Sequence, residues 1–346
     1  MPFLYKKVLK PILFLFDAEF IHTVFISFGH LLGTNPITRK LVSFFYGYHG
    51  KDISKVVDGI TYKTPIVLAA GFDYNAKLTN ILQSVAFGGE EVGSVTAREC
   101  AGNDKPRLMR LKKSGSIVVY KGLRNEGVDK IIERIKNSYI PKDYVVGISI
   151  ARTNDEACNT LEEGVGDYLY SFKKLNDAGV GDYYTINISC PNSFGGEDFT
   201  TSERLNILLS KLSFIKTDKP VYLKMPINIS WEDFEKLLEI SLRFDFIKGY
   251  VIGNLNKNYD ELDYLKEAPM EYRGGLSGVP CRKHSTDLIK KTKEKFGKTK
   301  TIIGCGGIMS VEDAQEKFEA GADLIQLITG MIFEGPHLMK QIAKKL

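Results

Sequence analysis

The sequence predicts an α/β protein of the TIM (β/α)8 barrel class with a small N-terminal helical extension. Eight apolar runs of strand length alternate with amphipathic segments of helix length, which is the pattern of successive β/α units. A chain of 346 residues has room for one such barrel and a short appendage. The rival, a doubly wound sheet, is disfavoured because no GxGxxG motif follows the first strand and the glycine-rich turn follows the seventh.

The first 45 residues predict a separate helical unit. Apolar residues recur at helical spacing from Leu4 to Leu13, away from Lys6, Lys7 and Lys10, and the pattern repeats from Phe20 to Leu32. Two short amphipathic helices are therefore expected, ended by Gly33, Asn35 and Pro36. We expect an N-terminal segment of residues 1–45 and a barrel of residues 46–346.

The remaining elements follow in order along the chain. Asp58-Gly59 between β-formers predicts a hairpin over 56–62. The predicted barrel strands are residues 66–70, 92–95, 145–150, 184–189, 221–225, 249–252, 301–304 and 324–328. The predicted helices include residues 161–176, 202–215, 231–242, 285–296 and 311–319, with Ser202 and Ser310 as N-caps.

Composition limits the classes of function. The chain is 43% hydrophobic and 26% charged, as expected of a globular protein. Residues 1–63 contain eight Lys/Arg and four Asp/Glu, so this part has +4 of the net +5 charge. We therefore expect no nucleic-acid partner for the barrel and an anionic phospholipid surface as the partner of the N-terminal segment. The apolar run 11–16 is far shorter than the ~20 residues of a membrane span.

Cysteine usage predicts neither a metal site nor a disulfide framework. The five cysteines are scattered without a CxxC pair, which favours a reducing compartment.

Two glycine-bearing turns predict a phosphate site. Gly306 and Gly307 follow the seventh strand, and Thr329-Gly330 ends the eighth. These are the two loops that bind phosphate in many barrels of this class, where glycine lets the backbone approach the phosphate oxygens. The alternative is that these glycines only form tight turns.

The end of the fourth strand predicts the reactive centre. Asn187, Ser189, Cys190 and Asn192 lie where the strand gives way to a loop, and asparagine can both donate to and accept from a planar ligand. A thiol, with a pKa of about 8.5, exchanges a proton near neutrality more readily than a hydroxyl, so Cys190 is the predicted base. Lys224, at the end of the fifth strand, is either a solvated rim charge or a buried cation over a flavin ring.

The order of motifs resembles the dihydroorotate dehydrogenase family of FMN-dependent barrel enzymes. The motifs are Ala69-Ala-Gly-Phe-Asp, Val92-Gly-Ser-Val-Thr, Gly102-Asn-Asp-Lys-Pro-Arg-Leu-Met-Arg-Leu, Asn187-Ile-Ser-Cys-Pro-Asn, Gly274-Gly-Leu-Ser-Gly, Ile303-Gly-Cys-Gly-Gly-Ile and Gln326-Leu-Ile-Thr-Gly. The N-terminal helices, with Phe16-Asp-Ala-Glu and His22, are similar to the membrane-docking extension of the quinone-dependent class.

The resemblance implies oxidation of dihydroorotate to orotate in pyrimidine biosynthesis, with electrons passed to a membrane quinone at the cytoplasmic side of a membrane. It also implies that Cys190 removes the proton from C5, although the quinone-dependent class usually has serine there. The implied substrate contacts are Asn187, Asn192 and Asn254. The implied FMN contacts are Ala70, Gly71, Ser94, Asn187, Lys224, Gly278, Gly307 and Thr329.

The chain departs from the family pattern in the substrate pocket. Tyr74 stands where the family has a lysine, and Val119 stands where it has an asparagine. Ser149 replaces a further asparagine on the third strand. Lys121 lies close by in sequence and is a candidate to bind the substrate carboxylate, with a surface lysine as the alternative.

Two other functions therefore stay open. One is an FMN oxidoreductase of the same fold that acts on another dihydropyrimidine or enone and uses a non-quinone acceptor. The other is a catalytically silent flavin-binding barrel that serves as an interaction partner.

Overall fold

The computed structural model describes residues 2–189, 199–262, 264–268, 274–297 and 299–346. The N-terminal segment begins with helix α1 (Pro2–Leu4), a π-helical turn (Tyr5–Leu9) and α2 (Lys10–Leu13), followed by α3 (Ala18–Thr34) and α4 (Pro36–Tyr46). The sequence analysis missed α4, because Asn35 and Pro36 end one helix and also begin the next. The Asn35 side chain accepts from the Ile37 N–H, and Pro36 occupies the first helical position.

A hairpin closes the N-terminal end of the barrel. Strands β1 (Lys55–Val57) and β2 (Ile60–Tyr62) pair antiparallel, as predicted. Asp58 and Gly59 both have positive φ, at 47° and 81°, which is the geometry of a type I′ turn. The Asp58 carboxylate accepts hydrogen bonds from Tyr222 and Thr301, each at 2.8 Å, so the turn is attached to two barrel strands.

Eight parallel strands form a closed barrel, which confirms the predicted fold. They are β3 (Ile66–Leu68), β4 (Gly89–Val95), β7 (Val145–Ile150), β8 (Tyr183–Asn187), β9 (Val221–Met225), β10 (Ile247–Ile252), β12 (Thr301–Cys305) and β13 (Leu324–Leu327). Strand β13 pairs with β3 and completes the ring. Side chains from these strands and the hairpin fill the lower interior, so the carboxyl ends of the strands form the open end.

Helices surround the barrel. They are α5 (Thr79–Leu82), α6 (Val128–Lys136), α7 (Leu161–Asp177), α8 (Ser202–Leu212), α9 (Trp231–Ser241), α10 (Arg282–Phe296), α11 (Val311–Glu319), α12 (Thr329–Glu334) and α13 (His337–Ala343). Of these, α7 to α11 lie close to the five predicted positions. Ser310 caps α11 as predicted, by accepting from the Asp313 N–H. The prediction for Ser202 is wrong: Thr201 is the extended residue whose hydroxyl accepts from the Arg204 N–H, and Ser202 is already helical.

A second, antiparallel sheet lies over the open end of the barrel. Its strands are β5 (Leu108–Leu111), β6 (Ser116–Val119) and β11 (Gly275–Gly278), in the order β11-β6-β5. The Thr329 hydroxyl donates to Ser277 on β11 at 2.9 Å and joins this sheet to the end of β13. The sequence analysis did not predict these strands, because they are short and β11 is half glycine.

The N-terminal helices pack against α12, near the C-terminus, and against α5. The Tyr5 hydroxyl donates to the Ile332 carbonyl at 2.6 Å, and the Phe14 and Phe333 rings meet edge to face. Helix α3 lies on α5 at close range: a Cβ at Gly33 would lie 2.9 Å from the Cβ of Asn80. Glycine is therefore what permits this approach.

Among the described residues, no single helix is long and apolar enough to cross a bilayer. The helical segments 5–13 and 18–34 meet the requirement only together, and the chain bends by 115° between them.

A buried carboxyl group lies between the barrel and its outer helices. Glu90 on β4 is fully buried, and neither of its carboxyl oxygens has a hydrogen-bond partner among the described residues. Burial, and secondarily the charge of Asp73, raises the pKa of Glu90 well above its usual range. The folded protein thus keeps a proton that the unfolded chain releases, and stability falls as the pH rises above the ordinary glutamate pKa.

We expect Glu90→Gln to remove this pH dependence, because glutamine has a similar shape and does not ionise. Thermal unfolding of parent and variant between pH 5 and pH 8 measures the pH dependence of stability. The variant should gain stability over the parent as the pH rises. Ser171→Ala is the matched control, since it removes a buried, uncharged hydroxyl that also lacks a partner among the described residues. The control should shift stability equally at each pH. A pH-independent effect of Glu90→Gln would contradict the expectation.

Candidate functional site

One cavity of about 420 Å³ extends from the open end of the barrel to the N-terminal helices. At the barrel end it is lined by twelve predicted site residues: Ala70, Gly71, Ser94, Lys121, Asn187, Lys224, Asn254, Gly278, Gly306, Gly307, Thr329 and Gly330. At the other end its walls are apolar and come largely from α2, α3 and α5. The cavity therefore joins a polar compartment at the barrel end to an apolar compartment at the N-terminal helices.

The two glycine turns lie side by side on this cavity. Gly306 and Gly307 have φ values of 102° and 75°, which disfavour residues with a side chain. Among the described residues, the backbone N–H groups of Gly307 and Gly330 have no backbone acceptor. Gly278, with φ 83°, faces the same region, where a Cβ would lie 2.8 Å from Thr329. Free donors on a side-chain-free wall suit an anionic group such as phosphate.

Polar side chains at the strand ends form a connected network. Asn187 donates to the Ser94 hydroxyl at 2.9 Å, and Ser94 shares a 2.8 Å hydrogen bond with Ser149. Asn254 donates to both the carbonyl oxygen and the hydroxyl of Ser189, at 2.9 and 2.6 Å. All these side chains are buried or half-buried, so they are held in fixed orientations at the base of the cavity.

Lys224 is a buried cation at the cavity wall. It lies at the end of β9, opposite Asn187 in the register of β8 and β9, and its side chain is almost completely buried. Its ammonium group has no carboxylate partner within the described part of the chain, and this arrangement excludes the alternative of a solvated rim charge. Burial raises the pKa of the neighbouring Cys305, and the charge of Lys224 opposes this shift in part. A positive charge without a partner favours an anionic ligand here.

Lys121 is also buried, so the alternative of a surface lysine is wrong. Its Nζ lies 4.4 Å from the centre of the Tyr74 ring and 3.5 Å from Nδ1 of His22. Because the other ring nitrogen of His22 lies 2.8 Å from the Phe72 carbonyl, Nε2 is the donor and Nδ1 accepts from Lys121. Lys121 thus lies against Tyr74, one of the positions where the chain departs from the family pattern.

Burial lowers the pKa values of Lys121 and His22. Desolvation lowers the pKa of Lys121 to about 7, opposed by the charge of Glu19 and assisted by those of Arg124 and Arg107. Desolvation also lowers the pKa of His22 to about 3, with a further contribution from the charge of Lys121. His22 is therefore neutral at physiological pH, whereas Lys121 can change its charge.

A buried ionic cluster connects α3 to the residues around the cavity. Glu19 on α3 is 6% exposed and accepts hydrogen bonds from Arg107 and Arg124, each at 3.0 Å. Arg110 on β5 donates to the carbonyl oxygens of Leu13, the last residue of α2, and of Phe16, in the turn before α3. Arginines of the cavity region therefore fix the N-terminal helices over the barrel.

Two predicted site residues, Cys190 and Asn192, lie outside the described residues. Their roles as base and substrate contact stay predictions. The strand that leads to them ends at Asn187, and Ser189, two residues later, is already part of the polar network.

The sequence analysis singled out neither Glu19 nor its two arginine partners as site residues. A signal was present: Glu19 and His22 are three residues apart on a largely apolar helix, so they share a face. The arginines carry no such signal, because their contacts with α3 span 88 and 105 residues of sequence.

The comparisons with known proteins agree with this architecture. The profile of the family described as dihydroorotate dehydrogenase matches residues 53–346. The chain is 38% identical to a dihydroorotate dehydrogenase (quinone) of Christiangramia forsetii, covering 99% of this chain and 98% of that protein. It is 32% identical to a protein of the same description from Thermosynechococcus vestitus, covering 99% and 96%.

A solved structure gives the same fold. The structure of DHODH from Eimeria tenella in complex with ferulenol superposes with a TM-score of 0.76 at 22% identity, covering 90% of each chain. The profile match over most of the barrel and the full-length relatives above 30% identity lead to one conclusion: the chain belongs to the dihydroorotate dehydrogenase family.

Proposed function

We propose that the protein oxidises dihydroorotate to orotate in pyrimidine biosynthesis and passes the electrons to a membrane quinone. The observation that carries the proposal is the single cavity, which joins a polar compartment at the barrel rim to an apolar compartment beneath the N-terminal helices. A polar, anionic substrate fits the first and a lipid-soluble acceptor fits the second. The family relatives named dihydroorotate dehydrogenase (quinone) support this assignment.

FMN is the cofactor that the cavity suits. Its phosphate would lie against the turns at Gly306, Gly307, Thr329 and Gly330, where the N–H groups of Gly307 and Gly330 lack backbone acceptors among the described residues. Ala70, Gly71, Ser94, Asn187, Lys224 and Gly278 would contact the rest of the molecule. When bound, the flavin accepts hydride from the substrate and releases electrons to the acceptor. The Lys224 ammonium supplies a fixed positive charge at the buried wall.

The protein's own part in the substrate reaction is orientation and proton removal. Asn187, Asn192 and Asn254 would orient the substrate, since an amide offers both a donor and an acceptor. Cys190, as thiolate, would take the proton from C5. Lys121 would bind the carboxylate, because a buried anion needs a cation or several donors as partners.

Anaerobic mixing of the purified protein with dihydroorotate tests the activity and the base together. The parent should lose its flavin absorbance rapidly and recover it when quinone is added. Cys190→Ala should bind flavin normally but react about 10²- to 10⁴-fold more slowly, which is the usual effect of losing a general base.

Cys158→Ala is the matched control, because Cys158 is a buried thiol that does not line the cavity. It should react like the parent. A Cys190→Ala variant as fast as the parent would exclude the base, and a parent that dihydroorotate does not bleach would exclude the activity.

The second candidate function is oxidation of a neutral dihydropyrimidine, which Tyr74 and Val119 at the expected substrate positions favour. Lys121→Met separates the two. If Lys121 binds the carboxylate, the KM for dihydroorotate should rise about 10- to 100-fold, the scale of a lost charged hydrogen bond. Reaction with dihydrouracil, which has no carboxylate, should not change. Lys63→Met, at an exposed lysine, is the control. A parent that prefers dihydrouracil, with no effect of Lys121→Met, would establish the second candidate.

We also propose that the N-terminal helices bind the surface of a membrane peripherally, at its cytoplasmic side, and admit the quinone. Within the described residues, fifteen of the 23 exposed large apolar side chains belong to residues 3–44, so the exposed apolar surface there is concentrated on these helices. Lys6, Lys7 and Lys10 lie on the same segment. Lys6 is paired with Glu334, and Lys7 and Lys10 would face anionic headgroups.

We expect replacement of Phe20 and Phe28 by serine to weaken co-sedimentation with anionic phospholipid vesicles. Both side chains are more than half exposed, and each would lose roughly 1.5–3 kcal/mol of transfer into lipid, or about tenfold or more in binding. Phe214→Ser is the control, because Phe214 is 80% exposed on the barrel. Equal binding by parent and double variant would refute the docking surface.

A further inference from the structure

We propose that Glu19 is a positioning residue for the substrate: from a helix of the apolar compartment, its buried carboxylate maintains the place and the charge of Lys121 in the polar compartment. This inference rests on the proposed role of Lys121 in binding the substrate carboxylate. It adds a function for the N-terminal segment in the substrate half of the reaction, besides membrane docking and quinone access.

The geometry places α3 directly against the Lys121 site. Lys121 lies between the Tyr74 ring and the Nδ1 atom of His22, and His22 is on the same helix as Glu19, three residues later. The His22 and Tyr74 rings are stacked at 5.6 Å, so they form one wall around the amine. A displacement of α3 would therefore remove both a hydrogen-bond acceptor and a packing surface from Lys121.

The charges around Lys121 explain why a carboxylate is needed. Arg107 and Arg124 carry positive charges close to Lys121, and both lower its pKa, as does its burial. His22 is neutral, and burial raises the pKa of Tyr74, so neither supplies a negative charge. Among the charged and titratable groups around Lys121 in the described part of the chain, Glu19 alone supplies a negative charge.

The carboxylate acts through its field and not through a hydrogen bond to Lys121. Its hydrogen bonds come from Arg107 and Arg124, which are thereby neutralised and held. The Glu19 side chain is only 8% exposed, so solvent screens its charge weakly. Without the Glu19 carboxylate, the cations of Lys121, Arg107 and Arg124 would be left together, each buried or half-buried. Lys121, whose pKa burial already lowers, would lose its proton first.

The consequence is a specific pH dependence of anion binding. Lys121 binds a carboxylate only when protonated, and its pKa of about 7 in the free protein places this limit in the physiological range. Affinity for the carboxylate should fall above that pH. In Glu19→Gln the fall should begin at lower pH, because the charge that opposes deprotonation is gone.

Calorimetric titration of the flavin-containing protein with orotate between pH 6 and pH 8.5 tests the inference without measuring turnover. We expect Glu19→Gln to bind orotate about tenfold more weakly than the parent at pH 7.5, equivalent to one pKa unit, with the difference shrinking towards pH 6. Glu19→Asp retains the charge and should follow the profile of the parent.

Three outcomes would overturn the inference: a Glu19→Gln profile displaced equally at every pH, a profile identical to that of the parent, or tighter orotate binding by the released arginines. If Glu19→Gln does not fold, Glu19→Asp still tests the inference, because loss of the parental pH profile with the charge retained would contradict the role of charge.

Lys121→Met separates this inference from the proposed function. If that variant binds orotate like the parent, the carboxylate role of Lys121 itself is wrong. If it loses binding while Glu19→Gln keeps the parental profile, only the role of Glu19 is wrong.

Discussion

Closure of eight parallel strands into one ring is the constraint on which the rest of the structure depends. In such a ring all strands end at the same rim, so residues far apart in sequence, such as Ser94, Asn187 and Lys224, come to one place. The hairpin at Asp58 and Gly59 closes the opposite end through hydrogen bonds to two strands. The rim is then the part of the barrel left free for binding.

The N-terminal helices change this open rim into an enclosed site. They are attached by polar contacts at the cavity, through Glu19 and the carbonyl oxygens that Arg110 binds, whereas much of their apolar surface remains exposed. This distribution is the reverse of an ordinary surface helix, which buries its apolar face against the protein. The exposed face suits a lipid surface, and the buried charges place α3 within the electrostatic environment of the site.

The sequence predicted the barrel well because its signals are local. Each barrel strand is a continuous apolar run, and the predicted strands overlap all eight of those observed. The glycine turns after β12 and β13 were found for the same reason. The sheet β5-β6-β11 was not, since its strands are short and β11 pairs with β6 across more than 150 residues of sequence. The burial of Lys121 was equally hidden, because only the fold places it against Tyr74 and His22.

Tyr74 and Lys121 are most simply understood as one change. In the family pattern a lysine stands at the position of Tyr74, and here the amine comes from position 121 and lies 4.4 Å from the tyrosine ring. The positive charge thus lies in the same region, but the residue that carries it belongs to the segment after β6 and not to the loop after β3. A cation over an aromatic face is favourable, and more so when both are desolvated. On the proposed role of Lys121, the exchange keeps the cation that an anionic substrate requires, and that proposal favours dihydroorotate over a neutral dihydropyrimidine.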